Sequence, residues 1–283
     1  MTATPAPSTW PASAPGRGDR ARLPDLVAAE WIKLRSLRST LLTLGVCVLY
    51  ACYAAWQSGH REASVWAHLT AAQRAGQNLG HAVFPGSAWL VLLVLTGVVG
   101  ALVIVGEHAS GLIRTTFSAV PARRRVIAAK VVVVAGILAV TGVVAAAGCY
   151  GVGLVELSGQ TPAPTVAFAD AAGGCAATAL LFAACGLAGM AIGALIRNTA
   201  ATIVTIVVIL GLLPTAFKTQ GYWWSRDAAN AMPAFAWYRL VVPVGGHVAD
   251  AAPMSVTHAW VTLAVWSLAA VLISVVIMNW RDV

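Results

Sequence analysis

Six continuous apolar runs dominate the chain: Ser39 to Trp56, Ala88 to Val105, Val131 to Leu154, Ala171 to Ile196, Ala200 to Phe217 and Ala259 to Met278. A helix needs roughly 17 to 25 apolar residues to cross a hydrocarbon core about 30 Å thick, and each run reaches that length. Closed β-barrels also span bilayers, but their segments alternate polar and apolar residues over about ten positions, and these runs do not alternate. The fold class predicted is therefore an all-α integral membrane protein with six transmembrane helices. Only 10% of the 283 residues are charged and 59% are hydrophobic, whereas soluble domains carry about 25% charged residues. No sizeable soluble domain is expected.

The net charge of +8 is distributed unevenly. If the N-terminus lies inside, the segments sharing its side (1–38, 106–130, 197–199 and 279–283) hold thirteen of the eighteen Lys and Arg residues. The opposite side holds Arg61, Arg74, Lys218, Arg226 and Arg239, although its loops are longer in total. This positive-inside pattern places both termini in the cytoplasm of a multi-pass cell-membrane protein. Acidic residues divide five and five, so the whole excess of positive charge sits on the inner face. Anionic headgroups account for such a face, and nucleic acid is not expected as a partner. Cys47, Cys52, Cys149, Cys175 and Cys185 all fall inside the runs. An odd number scattered through lipid-embedded helices is neither a disulfide framework nor a metal site, and they read as small buried hydrophobes.

Residues 1–22, rich in Pro, Ala, Ser and Thr without an apolar core, read as a disordered cytoplasmic tail rather than a signal peptide. Residues 23–38 read as an amphipathic interfacial helix: Pro24 suits a first turn, and Leu23, Leu26, Val27, Trp31, Leu34 and Leu37 share a face. Glu30 interrupts that face. Its carboxylate either finds a basic partner in the packed protein or reaches the headgroup zone. Residues 39–283 form the six-span domain.

Outside the membrane, Gln57 to Ser87 carries His60, His68 and His81 without a recognisable ligand spacing, and a short helix is expected from Val65 to Leu79. Arg197 to Thr199 reads as a tight inner turn joining the fourth and fifth spans into a hairpin. Lys218 to Thr257 is broken by Pro233, Pro243 and Pro253, and its Tyr222, Trp223, Trp224, Trp237 and Tyr238 suit one or two short external helices in an interfacial aromatic belt before the sixth span. An aromatic platform for a substrate is the alternative.

The apolar cores contain no Asp, Glu, Lys, Arg or His. Such groups mark proton relays and ion-coupled carriers, so a proton-driven carrier is disfavoured. Neither HExxH nor GxSxG occurs, and none of Lys33, Lys130 and Lys218 follows the glycine that a phosphate-cradling P-loop needs. If ATP drives this protein, another chain hydrolyses it.

The inner loop between the second and third runs is the most informative stretch. It runs from Glu107 through Gly111, Arg114, Thr115, Thr116, Pro121, Arg123, Arg124 and Arg125 and closes on Lys130. Leu112, Thr116 and Ala119 or Val120 keep helical spacing, and Pro121 stops the helix. A short helix parallel to the membrane and flanked by fixed charge is a rigid handle for a cytoplasmic partner. A basic loop that only sets topology is the other reading.

The run from Glu107 to Lys130 resembles the loop of type-2 ABC transporter permeases: an acidic residue, a glycine, a hydrophobic pair, a basic residue with hydroxyls, a proline and a basic cluster. Glu30, Trp31, Ile32, Lys33, Leu34 and Arg35 resemble that family's amphipathic lead-in helix, and Gly186 to Thr199, with Gly189 and Gly193 in a GxxxG, resembles its fourth span and inner turn. The resemblance implies the membrane-spanning permease subunit of an ATP-driven exporter, not itself an enzyme. It would pair with a second permease copy or paralogue and with two ATP-binding subunits, which would carry the ATP and magnesium. Glu107, Gly111, Arg114, Thr115 and Thr116 would then lie on or beside the coupling helix that docks in the ATPase. A non-transporting assembly or immunity factor that holds a partner through the same loop is the second reading, and an intramembrane enzyme the third.

Overall fold

The computed structural model describes residues 22–70, 73–74, 79–109, 123–161, 166–217, 222–242 and 254–280. Among these every regular element is helical. Helix α1 covers Leu23–Ser36, and one extended residue, Leu37, turns the chain into α2, Arg38–Val65. A short 3-10 turn, Trp66–His68, and the small helix α3, Leu79–Val83, lead to α4, Gly86–Ala109. Then follow α5 (Arg123–Leu157), α6 (Phe168–Ile196) and α7 (Thr199–Ile206). A π-helical stretch, Val207–Leu212, and a last turn, Leu213–Ala216, extend α7 into a fifth span. Helices α8 (Trp223–Asn230) and α9 (Pro233–Val241) precede α10, Val256–Trp280.

Six of these segments are long and apolar enough to cross a bilayer: Arg38–His68, Ala88–Ala109, Arg124–Leu157, Phe168–Ile196, Thr199–Ala216 and Val256–Ile277. Each contains or nearly coincides with one of the six apolar runs. The helices overrun the runs where the chain leaves hydrocarbon. Helix α2 continues nine residues past Trp56, through a stretch expected to be loop, and there it packs beside Glu156, with His60 Nδ1 3.6 Å from Glu156 Oε2.

Helix α6 is the axis of the bundle. It is the most buried span, and it packs on α4, α5, α9 and α10. Lipid tails are as apolar as leucine, so such helices gain from close backbone approach rather than from hiding side chains. The α4–α6 contact illustrates this: a methyl on Gly100 would overlap the Gly186 carbonyl, and one on Gly189 would overlap the Gly97 carbonyl. A methyl on Gly193 would stand 3.0 Å from a Val105 methyl. The GxxxG is thus spent inside the subunit, on the second span, and does not mark a face between copies.

Arg197, the one non-glycine with positive φ among the described residues (58°), closes α6 in a left-handed cap, its N–H donating to the Gly193 carbonyl. Asn198 then caps α7, its side-chain oxygen accepting from the Ala201 N–H at 3.0 Å. Two adjacent residues thereby end one span and start the next. In the fifth span, the ring of Pro214 would clash with the Leu210 carbonyl in a regular helix, and the wider π turn just before it relieves that clash.

At the other end of the bundle the aromatics expected in the belt divide. Tyr222, Trp223 and Trp224 are exposed, as an interfacial belt requires, but Trp237 is buried. Its ring lies 4.4 Å from that of Trp89 and 5.7 Å from that of Phe84, and its indole N–H donates to Thr178 Oγ1 at 3.0 Å. The expectation that Trp237 belongs to the belt is corrected: it anchors α9 to the central helix. Trp266 Nε1, donating to the Ala231 carbonyl at 2.8 Å, fixes the α8–α9 junction to the last span.

Candidate coupling site

The basic end of the bundle is organised around Lys130. Its side chain is 2% exposed, and a buried ammonium is costly unless paired and hydrogen-bonded. The apolar run of the third span begins only at Val131, but the helix begins at Arg123. Lys130 is therefore two turns inside α5 rather than at the close of the loop. Its Nζ donates to Glu30 Oε2 at 2.5 Å and to Glu107 Oε1 at 2.8 Å. Lys33 Nζ closes the figure, donating to Glu30 Oε1 at 2.7 Å and Glu107 Oε1 at 3.4 Å. Two cations and two anions alternate in a ring without net charge, drawn from α1, the end of α4 and the first turns of α5.

Of the two fates open to Glu30, the structure takes the first: the carboxylate finds basic partners. Burial alone pushes its carboxyl pKa up, but the charge and hydrogen bond of Lys130, seconded by Lys33, outweigh burial and hold it below the ordinary value. For Lys33 burial pulls the ammonium down, and the hydrogen bond to Glu30 with the charge of Glu107 more than reverses this, so its pKa is raised.

The ring also sets the face that α1 presents. Leu34 and Glu30 are buried and Leu26 and Val27 half-buried, a spacing of three and four that forms one stripe against α5 and α2. Leu23, Trp31 and Leu37, which share the apolar face expected along the membrane surface, are not packed against the bundle and are exposed, as are Ile32 and Arg35. The reason is geometric: turning Glu30 toward Lys130 rotates the helix, and Trp31, one residue on, then points away.

A family model described as ABC-2 family transporter protein matches residues 26–213. The chain belongs to that family. No curated protein matches it. The matched stretch begins inside α1 and ends after the π turn of the fifth span, so it includes all four ring residues. As an ABC-2 family member the chain is a multi-pass transport subunit rather than an enzyme.

In this ABC-2 protein the sequence-derived site divides. Glu107 is helical, in the last turn of α4, and half-buried in the ring. Gly111, Arg114, Thr115, Thr116 and Pro121 lie outside the described residues. Arg123 opens α5, and Arg124 and Arg125 in its first turn are exposed. Of the lead-in residues, Glu30 and Lys33 belong to the ring and Trp31 and Arg35 do not. Sequence reasoning missed Lys130 as a structural partner. The signal was present, a lone lysine between Ala128-Ala129 and four valines, because a helix that buries such a lysine must bring a carboxylate to it.

Proposed function

We propose that this chain is the membrane-spanning half of an ATP-driven exporter, and that the loop between α4 and α5 is where a separate ATP-binding subunit docks. Two such subunits, carrying ATP and magnesium, and a second permease copy or paralogue complete the transporter. The observation that carries this reading is the ion-pair ring. Glu107 stands in the last turn before the loop and Lys130 two turns into the helix after it, and Lys130 ties both to Glu30 of α1. A push on the loop is thereby delivered to three helices together, as a rigid two-state element requires.

The arginines support the same reading. Arg123, Arg124 and Arg125 crowd the N-terminus of α5, where the helix dipole disfavours cations. That local cost is offset if the arginines meet an acidic docking surface or anionic headgroups. In this reading Gly111 admits the loop to a tight turn, Arg114 pairs with an acidic group of the ATPase, and both termini lie in the cytoplasm of the cell membrane.

Purification through a tag on this chain tests the proposal. A protein with a P-loop should co-purify, and Arg114→Ala should uncouple its ATP turnover from transport while the chain still inserts. A stable complex without any nucleotide-binding protein would instead favour an assembly or immunity factor.

A further inference from the structure

Beside the ion-pair ring lies a cavity of about 480 Å³, bounded by α1, the Leu37 corner, the start of α2, and the facing sides of α4 and α5. That volume is within the range of ligand pockets, about 300 to 1,000 Å³. Its polarity is graded along the membrane normal. On α4 the lining positions Val99, Leu102, Val103, Gly106 and Glu107 descend one helical face over about 12 Å, at 1.5 Å per residue, ending in the ring. On α5 the order repeats in reverse, Lys130 first and then Val133 and Val134. The charged end therefore lies level with the headgroups of one leaflet, and the aliphatic end one to two turns deeper.

The four charged groups of the lining sum to zero, but the most exposed of them is a cation. Lys33 is the ring member with substantial exposure, 39% of its side chain against 2% for Lys130, 7% for Glu30 and 12% for Glu107. An ammonium has three donors, and Lys33 uses two on the ring carboxylates, so one remains. The Ser39 and Thr40 hydroxyls line the same end, and neither bonds to another described residue. The Ser36 and Thr43 hydroxyls are occupied by backbone carbonyls of their own turns.

We propose that this cavity binds a glycerophospholipid from the leaflet at the basic end. Its phosphate sits against Lys33, Ser39 and Thr40, and one acyl chain runs along Val99, Leu102, Val103, Val133 and Val134 before leaving past the half-exposed Leu102 into the bilayer. The lipid braces the corner between α1 and α2 and so stiffens the mount of the ion-pair ring. This site is independent of transport and would be present in the assembly-factor reading as well.

The full chain purified in mild detergent provides the test, with dioleoylphosphatidylglycerol and, as the probe lacking phosphate, dioleoylglycerol. Lipid retention is read by native mass spectrometry and stabilisation by thermal unfolding. Ser39→Glu places a carboxylate where the phosphate sits, yet suits the first turn of α2, so the fold is kept. Leu102→Trp fills the mouth from an exposed position, and Val261→Trp, exposed on the last span, is the control. The phospholipid should be retained and should raise the unfolding temperature of the parent and Val261→Trp proteins, and dioleoylglycerol should do neither. Ser39→Glu and Leu102→Trp should unfold like the parent without lipid; Ser39→Glu should bind the phospholipid roughly tenfold more weakly, the loss expected for one charge-assisted contact, and Leu102→Trp should lower its retention by excluding the acyl chain. Equal retention of dioleoylglycerol, or parental retention in both cavity variants, would overturn the proposal.

Discussion

Lys130 Nζ stands 2.8 Å from Glu107 Oε1, so the helix that enters the basic loop and the helix that leaves it are fastened across the loop's mouth. Glu30 on the same ammonium extends that fastening to α1, a hundred residues earlier in the chain. The ring matters less as a source of stability than as a joint, since a buried ion pair recovers little more than its own desolvation.

That distinction makes a first prediction. Lys130→Met should cost about 3 to 5 kcal/mol of unfolding free energy, because it leaves two buried carboxylates sharing only the part-exposed Lys33. Adding Glu30→Gln to it should cost much less than the sum of the single changes, a coupling of about 1 to 3 kcal/mol. Chemical unfolding in detergent measures both. Additive losses would mean that the pair does not act as a unit.

The ring also predicts a pH window. The Glu30 pKa is depressed in the folded state, so its contribution is full above the ordinary carboxylate value and is lost as pH falls through the folded value. The Lys33 pKa is raised, so its contribution is full below the ordinary lysine value and is lost as pH rises through the folded one. Unfolding temperature should thus be flat between these limits and fall on both sides. Glu30→Gln should remove much of the acid limb, and Lys33→Gln much of the alkaline limb.

Close packing of α4 on α6 gives a third. Gly100→Ala and Gly189→Ala should each cost about 1 to 3 kcal/mol or more by forcing the two backbones apart. Gly136→Ala, which meets open space, should be neutral or stabilise by about 0.5 to 1 kcal/mol. Since alanine is the better helix former, a loss at Gly136 as large as at the other two would contradict the crossing as the source of the cost.

The hairpin between α6 and α7 gives a fourth. Asn198→Ala removes a side-chain cap and should cost about 1 kcal/mol. Arg197→Gly relieves a left-handed residue and should stabilise by about 1 kcal/mol. Thermal unfolding of the two variants should move in opposite directions.

The spans were legible because hydrocarbon imposes a length and forbids unpaired backbone, so six long apolar runs admit few other folds. The Arg197–Asn198 turn was legible for a similar reason: a loop so short leaves the chain only one way to reverse. The ring was not. Glu30, Glu107 and Lys130 are far apart in the chain, and their meeting depends on the rotation of α1 and on α5 starting at Arg123, neither of which an apolar pattern encodes. Trp237 eluded the sequence for the opposite reason. An aromatic near a headgroup suits belt and core alike, and only its bond to Thr178 separates them.

In the proposed transporter, force arrives from the cytoplasm through the loop between α4 and α5. A photo-crosslinking residue placed at Arg114 or Thr116 in cells, with Gln57 on the opposite face as the comparison, tests it most directly. Positions 114 and 116 should give an adduct with a P-loop ATPase whose yield changes with nucleotide, and position 57 should give none. Adducts with no nucleotide-binding protein from the loop, or labelling of the loop by a membrane-impermeant reagent from outside the cell, would contradict it.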